Sequence, residues 1–326
     1  MRKPQLGVVM DPISGINPAK DSSLAMLVEA QRRGYALWYF EQNDLRLRNG
    51  VAEGQARALR VKDSKTAWHE LGPPEEMPLS ALDLILMRKD PPFSTEFIYT
   101  TYILERAERC GVLVVNRPRS LRDMNEKVYT AWFPQCCPDT LITRSMADMR
   151  AFLAEQGHIV VKPLHSMGGR SIFTVNKGDN NANVVFETLT DYGQQHAMAQ
   201  RYIPEIARGD KRIILVDGRP VSRVLARIPA PDDNRGNLVA GAEPEVRPLT
   251  ERDQWICAQV GPVLRDLGVI FAGLDVIGDY LTEINVTSPT GICELRKLGD
   301  LDVASTLFDA LDARLAARPA TRTISA

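Results

Sequence analysis

Short apolar runs alternate with amphipathic stretches along the first 120 residues. The runs LGVVM, YALWYF, LDLILM and VLVVN are typical of buried strands, whereas DSSLAMLVEAQRRG and STEFIYTTYILERAERCG repeat apolar residues at helical spacing. Asp21 or Ser22 fits the N-terminal cap of the first helix, and Gly34 lies where a helix commonly ends in a left-handed residue. Strands that alternate with helices predict βαβ units and a parallel sheet.

The pattern changes near Leu121, where a second α/β unit is predicted. A helix around NEKVYTAWF is followed by a short strand TLIT, a helix over residues 146–156 and the strand HIVVKPL. Further on, two β-rich runs flank Asp217-Gly218, which is a strong signal for a two-residue hairpin turn. Residues 229–245 have almost no apolar periodicity and are predicted to form a long loop, of the kind that often acts as a lid.

Composition narrows the class of protein. The chain has 326 residues, of which 44% are hydrophobic, and its 40 basic and 41 acidic residues give a net charge of −1. That length allows two or three domains, and that charge gives no general attraction for nucleic acid or membranes. The five cysteines show neither disulfide nor zinc spacing, and no apolar run is long enough for a signal peptide or a bilayer crossing. We therefore expect a cytoplasmic protein with small-molecule partners and no nucleic-acid or membrane partner.

The strand HIVVKPL runs directly into a glycine-containing loop. The strand contains Lys162, and the loop contains Ser166, Met167, Gly168 and Gly169. Glycines let backbone N–H groups approach an anion, and a lysine beside such a loop is a recurrent way to hold phosphate. The ordinary alternative is a solvated lysine at a strand end, which is the commoner case for a lone lysine. The spacing matches neither a P-loop nor a dinucleotide-binding fingerprint.

The segment GLDVIGDYLTEINVTSP brings three oxygen donors close together. Asp275, Glu283 and Asn285 flank a predicted turn at Gly278-Asp279, and hard oxygen donors of this kind suit Mg²⁺, with Mn²⁺ as an alternative. Facing residues of a hairpin share a side, so a two-residue turn would put Asp275 and Glu283 on opposite faces. The metal hypothesis therefore predicts an odd-length turn, with a β-bulge. The alternative is a solvated hairpin with its polar residues outward.

Two further charged motifs lie on strands. The motif MRKDPPF places Arg88, Lys89 and Asp90 at the carboxyl end of a strand, where open α/β sheets collect ligands, so the three could bind a zwitterionic substrate. A charged loop start is the equally strong alternative. Arg223 and Arg227 share a face of the second strand of the predicted hairpin. Arg227 could neutralise a phosphoryl group if the metal ligands and the glycine loop converge there, whereas alone both arginines would be surface charge.

The motifs together resemble one family. VMDPI, KDSSLAMLVEAQRRG, LMRKDPPF, YILERAE, NEK, GDKRI, LARIP, RGNL and GLDVIGDYLTEINVTSPT are similar to bacterial glutathione synthetase, an ATP-grasp ligase, over nearly the whole chain. The resemblance implies an α/β chain with an ATP-grasp fold behind an amino-terminal parallel-sheet domain. Residues 1–123 would form the substrate domain, 124–202 the subdomain with the glycine loop, and 203–326 the subdomain with the lid and the metal site. It also implies a homo-oligomer, a tetramer.

The resemblance implies a reaction and a set of site residues. ATP would phosphorylate the C-terminal carboxylate of γ-glutamylcysteine in the presence of Mg²⁺, and glycine would attack the acyl phosphate to form the amide. The residues that would hold ATP are Lys127, Lys162, Ser166, Met167, Gly168, Gly169, Gln200, Tyr202, Ile203 and Asp210, the last at the ribose. Asp275, Glu283 and Asn285 would bind the metal. Phosphoryl transfer would involve Arg212, Arg227 and Arg235, and the last of these would lie in a lid of residues 228–245. The substrate residues would be Arg88, Lys89, Asp90 and Ser288.

Three segments depart from the family pattern. His165-Ser166 stands for Asp-Gly, Gly241-Ala242-Glu243-Pro244 for Gly-Gly-Arg-Gly, and Gly291-Ile292-Cys293-Glu294 for Cys-Ile-Arg-Glu. Two cations are lost and one anion is gained, which would weaken binding of a glycine carboxylate if these segments face it. The hypotheses are a paralogue that uses a different amine, a ligase with another donor, or a non-catalytic binding descendant. The simpler hypothesis is surface drift in an ordinary glutathione synthetase.

Overall fold

The computed structural model describes residues 2–64, 66–166, 168–230 and 241–318. The α-helices in these ranges are α1 (Ser22–Arg32), α2 (Thr95–Arg109), α3 (Pro118–Asp123), α4 (Met146–Gln156), α5 (Ala182–Thr190), α6 (Glu251–Asp266), α7 (Ile292–Gly299) and α8 (Val303–Ala316). Asp21 caps α1 as predicted, because its side chain accepts a hydrogen bond from the Leu24 N–H. Within the described ranges no helix has the length and apolar character that crossing a bilayer requires.

The first of three sheets is mixed, not purely parallel. Its strands are β1 (Gln5–Val9), β2 (Ala36–Phe40), β3 (Leu45–Arg48), β4 (Val51–Val61), β5 (His69–Pro78), β6 (Leu84–Met87) and β7 (Leu113–Val115). The order is β3-β4-β2-β1-β6-β7, with β5 paired to β4. β2, β1, β6 and β7 pair in parallel as predicted, but β3, β4 and β5 extend the sheet with antiparallel pairs. The prediction missed all three, because charged residues interrupt LRLR of β3 and VAEGQARALRV of β4, and HELGPPEEMP of β5 is polar and largely exposed.

The second sheet is antiparallel and lies in the middle of the chain. Its strands are β8 (Thr140–Thr143), β9 (His158–Pro163), β10 (Phe173–Asn176) and β11 (Ala197–Arg201), in the order β10-β9-β11-β8. Residues of α4 and α5, Phe186 among them, form a separate core with Ile159 and Val161 of β9. The predicted elements of this unit are present, except that the helix around NEKVYTAWF is only a 3₁₀ helix over Val128–Trp132.

The third sheet is also antiparallel. Its strands are β12 (Asp210–Val216), β13 (Arg219–Pro220), β14 (Arg223–Ile228), β15 (Glu243–Pro248), β16 (Phe271–Ile277) and β17 (Tyr280–Asn285), in the order β15-β14-β12-β16-β17. The Asp217-Gly218 turn is confirmed, with φ of 50° and 77° at its two residues. The prediction of a loop over 229–245 is wrong at its end, because Glu243 begins edge strand β15. Residues 231–240 of that loop lie outside the described ranges.

A β-bulge sets the side-chain directions in the hairpin of β16 and β17. The turn between the two strands has two residues. Val276 pairs with Leu281, but the next residue back, Asp275, pairs with Glu283, so Thr282 is an extra residue in β17. The predicted bulge is confirmed and the predicted odd-length turn is wrong, because the extra residue lies in the strand and not in the turn. Asp275 and Glu283 therefore share a face, together with Asn285 two residues further along.

Asn116 joins the first sheet to the third. It follows β7, and only 3% of its surface is exposed. Its Nδ2 donates to the carbonyls of Phe271 and Val286 at 2.7 and 2.6 Å, and its Oδ1 accepts from the N–H groups of Ile270 and Phe271 at 2.8 and 3.0 Å. One buried side chain therefore fixes the position of β16 against the first domain.

Helix α8, the last among the described residues, packs against the first domain. Arg33, which follows α1, contacts Asp312 of α8 at 2.8 Å and Asp309 at 2.7 Å. The Tyr35 hydroxyl also donates to Asp312, and the Tyr35 ring packs edge to face on Phe308, with 5.6 Å between ring centroids. Buried residues of α1 and α8 therefore belong to one continuous hydrophobic core.

Candidate active site

A cavity of about 640 Å³ opens between the second and third sheets. Strands β9, β10 and β11 line one side, and β12, β14, β16 and β17 line the other. Residues 287–290, which follow β17, and Asp90-Pro91 of the first domain close the end. The second and third sheets and a loop of the first domain therefore form one site.

Two buried lysines approach one carboxylate in this cavity. Lys127 and Lys162 are 2% and 5% exposed, and their Nζ atoms lie 3.8 and 3.5 Å from Glu283 Oε1. Lys127 also donates to the Ser166 carbonyl of the glycine loop at 2.7 Å and pairs with Glu126. Burial alone would lower the pKa of Lys127, but Glu283 and Glu126 raise it above its usual value. Two cations therefore stand beside the loop, as phosphate binding requires.

Two buried arginines surround Asp275. Arg212 contacts its carboxylate at 2.5 and 3.0 Å, and Arg227 lies 3.1 Å from it while also pairing with Asp210. Burial would raise the pKa of Asp275, but Arg212 and Arg227 lower it to about 2. Burial raises the pKa of Asp210 to about 7, against the opposing effect of Arg227. Within the described chain, Asp210 Oδ1 and Arg227 Nε are buried without a hydrogen-bond partner.

The three predicted metal ligands line the same wall. Asn285 Nδ2 donates to Asp275 Oδ2 at 3.2 Å, and the contacts of Glu283 with the lysines are longer than ordinary hydrogen bonds, so its oxygens can accept a cation. The described residues contain no group of three or more His, Cys, Asp or Glu side chains placed to share a metal ion. A metal ion at this wall would therefore need the amide oxygen of Asn285 and oxygens of a ligand to complete its shell. This donor set fits Mg²⁺, which binds few protein oxygens and adds substrate phosphates.

Most of the predicted nucleotide-binding residues meet around the cavity. Those that line it are Lys127, Lys162, Ser166, Gly168, Gly169, Gln200, Tyr202, Ile203 and Asp210. Gly168 and Gly169 have φ of 69° and 74°, a conformation in which successive N–H groups can turn toward an anion. The Tyr202 ring stacks on His158, with 3.9 Å between ring centroids. Met167 and Arg235 lie outside the described residues.

The first domain contributes fewer residues to this cavity than predicted. Asp90 and Ser288 line it. Arg88 is buried and donates to the Pro289 carbonyl at 3.0 Å, so it supports the segment after β17 and does not line the cavity. Lys89 lines a separate cavity of about 440 Å³. The three charged residues of the motif MRKDPPF therefore lie in three different environments.

Glu126 is a site residue that the sequence analysis did not single out. It lines the cavity, and its carbonyl accepts from the Ile284 N–H at 2.8 Å, which fastens the segment before the 3₁₀ helix to β17. Burial raises the pKa of the Glu126 carboxyl, and the charge of Glu283 raises it further. Its only sequence signal was its place beside Lys127, and acidic residues beside lysines are ordinarily on the surface.

Two of the three departures from the family pattern lie away from the large cavity. Glu243 is exposed on edge strand β15. Cys293 is 5% exposed and packs in the core shared with the first domain, with Sγ 3.4 Å from the Asp21 carbonyl. His165 is exposed and lines a small neighbouring cavity, and only Ser166 lines the large one. The changes in charge therefore give little support to an altered acceptor.

Family models and curated relatives match nearly the whole chain. The model for the prokaryotic glutathione synthetase N-terminal domain matches residues 5–122, and the model for the ATP-grasp domain of the same family matches residues 126–300. A glutathione synthetase of Pseudomonas aeruginosa is 56% identical over 314 residues, which cover 96% of this chain and 99% of that protein. One of Escherichia coli O127:H6 is 55% identical over 311 residues, covering 95% and 98%.

Solved structures share the fold at low identity. D-cycloserine synthetase superimposes with a TM-score of 0.67 at 16% identity, covering 95% of this chain and 99% of that one. A RimK-domain ATP-grasp protein from Sphaerobacter thermophilus gives a TM-score of 0.60 at 16% identity, covering 94% and 98%. Fold and site together define an ATP-grasp ligase, a class that uses ATP with a divalent metal ion. The chain belongs to the prokaryotic glutathione synthetase family, and its activity is the ATP-dependent synthesis of glutathione.

Proposed function

We propose that the chain joins γ-glutamylcysteine to glycine through an acyl phosphate, with release of ADP and phosphate. The observation that carries the proposal is convergence in one cavity. Lys127 and Lys162 meet at Glu283 beside the glycine loop, and Asp275 and Asn285 stand on the same wall. Charge stabilisation and positioning are what phosphoryl transfer needs from a protein.

Each group has a proposed role. Lys127, Lys162 and the N–H groups of the glycine loop hold the phosphates of ATP, while Gln200, Tyr202, Ile203 and Asp210 hold the nucleoside, with Asp210 at the ribose. Arg212 and Arg227 align the donor carboxylate and stabilise the charge that develops during transfer. The segment between β14 and β15, which contains Arg235, acts as a lid that keeps water from the acyl phosphate.

Charge balance supports a requirement for a divalent cation. The described residues that line the cavity include five basic side chains and five acidic ones. A balanced lining cannot neutralise a triphosphate, so bound ATP needs added positive charge. We propose that Asp275, Glu283 and Asn285 hold Mg²⁺, for which Mn²⁺ could substitute. When bound, the ion would neutralise phosphate oxygens.

An isotope experiment tests the reaction directly. Donor peptide with ¹⁸O in its cysteinyl carboxylate is incubated with ATP, Mg²⁺ and glycine, and the products are analysed by mass. An acyl phosphate intermediate leaves one ¹⁸O atom in the inorganic phosphate, because amide formation expels the phosphate with the bridging oxygen. Unlabelled phosphate, or pyrophosphate with AMP, would overturn the mechanism.

The acceptor and the site are tested in the same assay. A panel of amines competes with glycine, and a product formed more efficiently with another amine would overturn the glycine assignment. Glu283→Gln should reduce turnover by at least about 100-fold, since the expected metal ligand loses its charge. Glu70→Gln is the matched control, because Glu70 is exposed on the first sheet and pairs with Lys62.

The organisation of the chain is part of the proposal. Residues 1–123 would bind the donor, 124–202 and 203–326 would hold ATP between them, and the enzyme would be a cytoplasmic homotetramer. The family resemblance supports the assembly. Light scattering coupled to size-exclusion chromatography measures its mass, and a monomer of 36.3 kDa would contradict it.

A further inference from the structure

Thr282, the extra residue of the bulge in β17, contacts groups from two sheets. Only 6% of its surface is exposed, and it lines the large cavity. Its hydroxyl donates to the Asp275 carbonyl of β16 at 3.1 Å, and its own carbonyl accepts from Lys162 Nζ of β9 at 3.4 Å. Thr282 therefore connects the strand that carries a proposed metal ligand to a lysine that is proposed to hold phosphate.

The bulge separates Thr282 from the regular pairing of the two strands. The register skips Thr282, because Asp275 pairs with Glu283. In a regular ladder Thr282 would itself pair with Asp275, and Glu283 would lie on the opposite face of the sheet from Asp275. The Thr282 hydroxyl bonds to the backbone of β16 at the point where the regular pairing is interrupted. It therefore stabilises the bulge that keeps Asp275 and Glu283 on one face.

The Thr282 carbonyl bonds outside its own sheet. β17 is at the end of the order of the described strands, so the backbone groups on its outer side have no partner within the third sheet. Groups from outside the sheet supply partners instead. Lys162 donates to the Thr282 carbonyl, and the Ile284 N–H donates to the Glu126 carbonyl at 2.8 Å. The edge of β17 is therefore where Lys162 of the second sheet meets the third sheet.

Lys162 keeps hydrogen-bond donors available for a ligand. Among the described residues its Nζ has two polar neighbours, the Thr282 carbonyl at 3.4 Å and Glu283 Oε1 at 3.5 Å. Both distances exceed the roughly 2.7–3.2 Å of an ordinary N–H···O bond, and an ammonium group has three donors. Lys127, by contrast, already donates to the Ser166 carbonyl at 2.7 Å. The two neighbours therefore orient the Lys162 ammonium group and leave it able to bind a phosphate oxygen.

We propose that Thr282 is a positioning residue for phosphoryl transfer. Its hydroxyl maintains the bulge, and the bulge fixes both the common face of Asp275 and Glu283 and the carbonyl that orients Lys162. The separation between the phosphate-binding lysine and the metal-binding carboxylates is thereby set, and phosphoryl transfer depends on such positioning. The inference rests on the proposed function, which assigns the lysine and the carboxylates those roles.

Two substitutions at Thr282 separate the hydroxyl from the shape of the side chain. Thr282→Val removes the hydroxyl and keeps the branching at Cβ, whereas Thr282→Ser keeps the hydroxyl and removes the methyl group. Thr188→Val is the matched control. Thr188 is exposed on α5, and its hydroxyl also donates to a backbone carbonyl, that of Val184, at 2.7 Å.

Steady-state assays of the full-length enzyme give the first readout. Thr282→Val should lower kcat by about tenfold or more, since small displacements of reacting groups have effects of this size. It should also raise the Mg²⁺ concentration that gives half the maximal rate. KM for γ-glutamylcysteine and KM for glycine should not change, because Thr282 acts on the groups that carry out transfer and not on these substrates. Thr282→Ser should recover most of the lost rate, and Thr188→Val should equal the wild type.

A binding measurement gives a second readout that is independent of turnover. Calorimetric titration with ADP in the presence of Mg²⁺ should show weaker binding to Thr282→Val than to the wild type, and Thr282→Ser should bind as the wild type does. Wild-type kcat and wild-type ADP binding in Thr282→Val would overturn the proposal. Equal losses in both Thr282 variants, or loss of the fold of Thr282→Val by circular dichroism, would also overturn it, since each leaves the residue a merely structural role. If the wild-type enzyme binds ADP with Mg²⁺ but makes no glutathione, the proposed function fails, whereas the binding data still test Thr282.

Discussion

Replacing Asn116 by alanine tests how firmly the first domain is joined to the third sheet. The substitution removes four buried hydrogen bonds to the backbone of Ile270, Phe271 and Val286. A buried hydrogen bond contributes about 0.5–1.5 kcal/mol net, so four contribute roughly 2–6 kcal/mol. The backbone groups left without partners favour the upper half of that range, and we expect a loss of about 4 kcal/mol in the free energy of unfolding.

Two measurements check this expectation. Urea unfolding followed by tryptophan fluorescence gives the change in the free energy of unfolding. Hydrogen exchange, measured by mass spectrometry on a peptide that covers residues 268–277, reports on the Ile270 and Phe271 amides that donate to Asn116. Asn183→Ala is the matched control, because Asn183 is exposed and its Oδ1 accepts one hydrogen bond from Arg150, so we expect a change within about 0.5 kcal/mol. A loss below about 1 kcal/mol in Asn116→Ala, with unchanged exchange at Phe271, would refute the reasoning.

Further predictions concern a buried acid and a close backbone contact. A hydrogen bond from Arg32 lowers the pKa of Glu29 despite its burial, so its stabilisation is present above its unfolded pKa of about 4.5 and is lost as pH falls through the lowered value. Glu29→Gln should therefore reduce the free energy of unfolding more at pH 7 than at pH 3, in urea titrations at both values. Gly261→Ala would place Cβ 2.0 Å from the Gly218 carbonyl oxygen and should cost about 2–3 kcal/mol, whereas Gly15→Ala meets nothing within 4 Å and should be neutral by thermal unfolding.

Apolar runs in the sequence predict the strands that are buried on both faces. The parallel strands of the first sheet are covered on both faces and read as continuous apolar runs, so they were found. Strands β5 and β15 were missed, because an exposed edge strand needs no apolar residues and both contain prolines. The bulge in β17 followed from requiring Asp275 and Glu283 on one face. The position of the bulge could not be predicted, because the sequence pattern does not distinguish an extra residue in the turn from an extra residue in the strand.

The site was less predictable than the fold. Lys127 and Lys162 are 35 residues apart in the chain, and apolar periodicity carries no information that their side chains meet. That part of the site was predicted only through the family resemblance. The charged residues of the motif MRKDPPF were predicted to bind the substrate together, at one place. Consecutive residues of an extended segment point to alternate sides, so Lys89 and Asp90 had to enter different cavities.

The packing of α8 on α1 has a consequence for the protein while it is being made. Residues 22–32 leave the ribosome early, but residues 303–316, which pack against them, form the last helix among the described residues. α1 also packs on β2 and β4 of its own sheet, so the part of its surface that α8 covers is what stays exposed until α8 is made, and exposed apolar surface makes nascent chains prone to aggregate. Ribosome-bound chains of this enzyme should therefore bind chaperones until α8 emerges, and a chain shortened before α8 should aggregate more readily than the full chain.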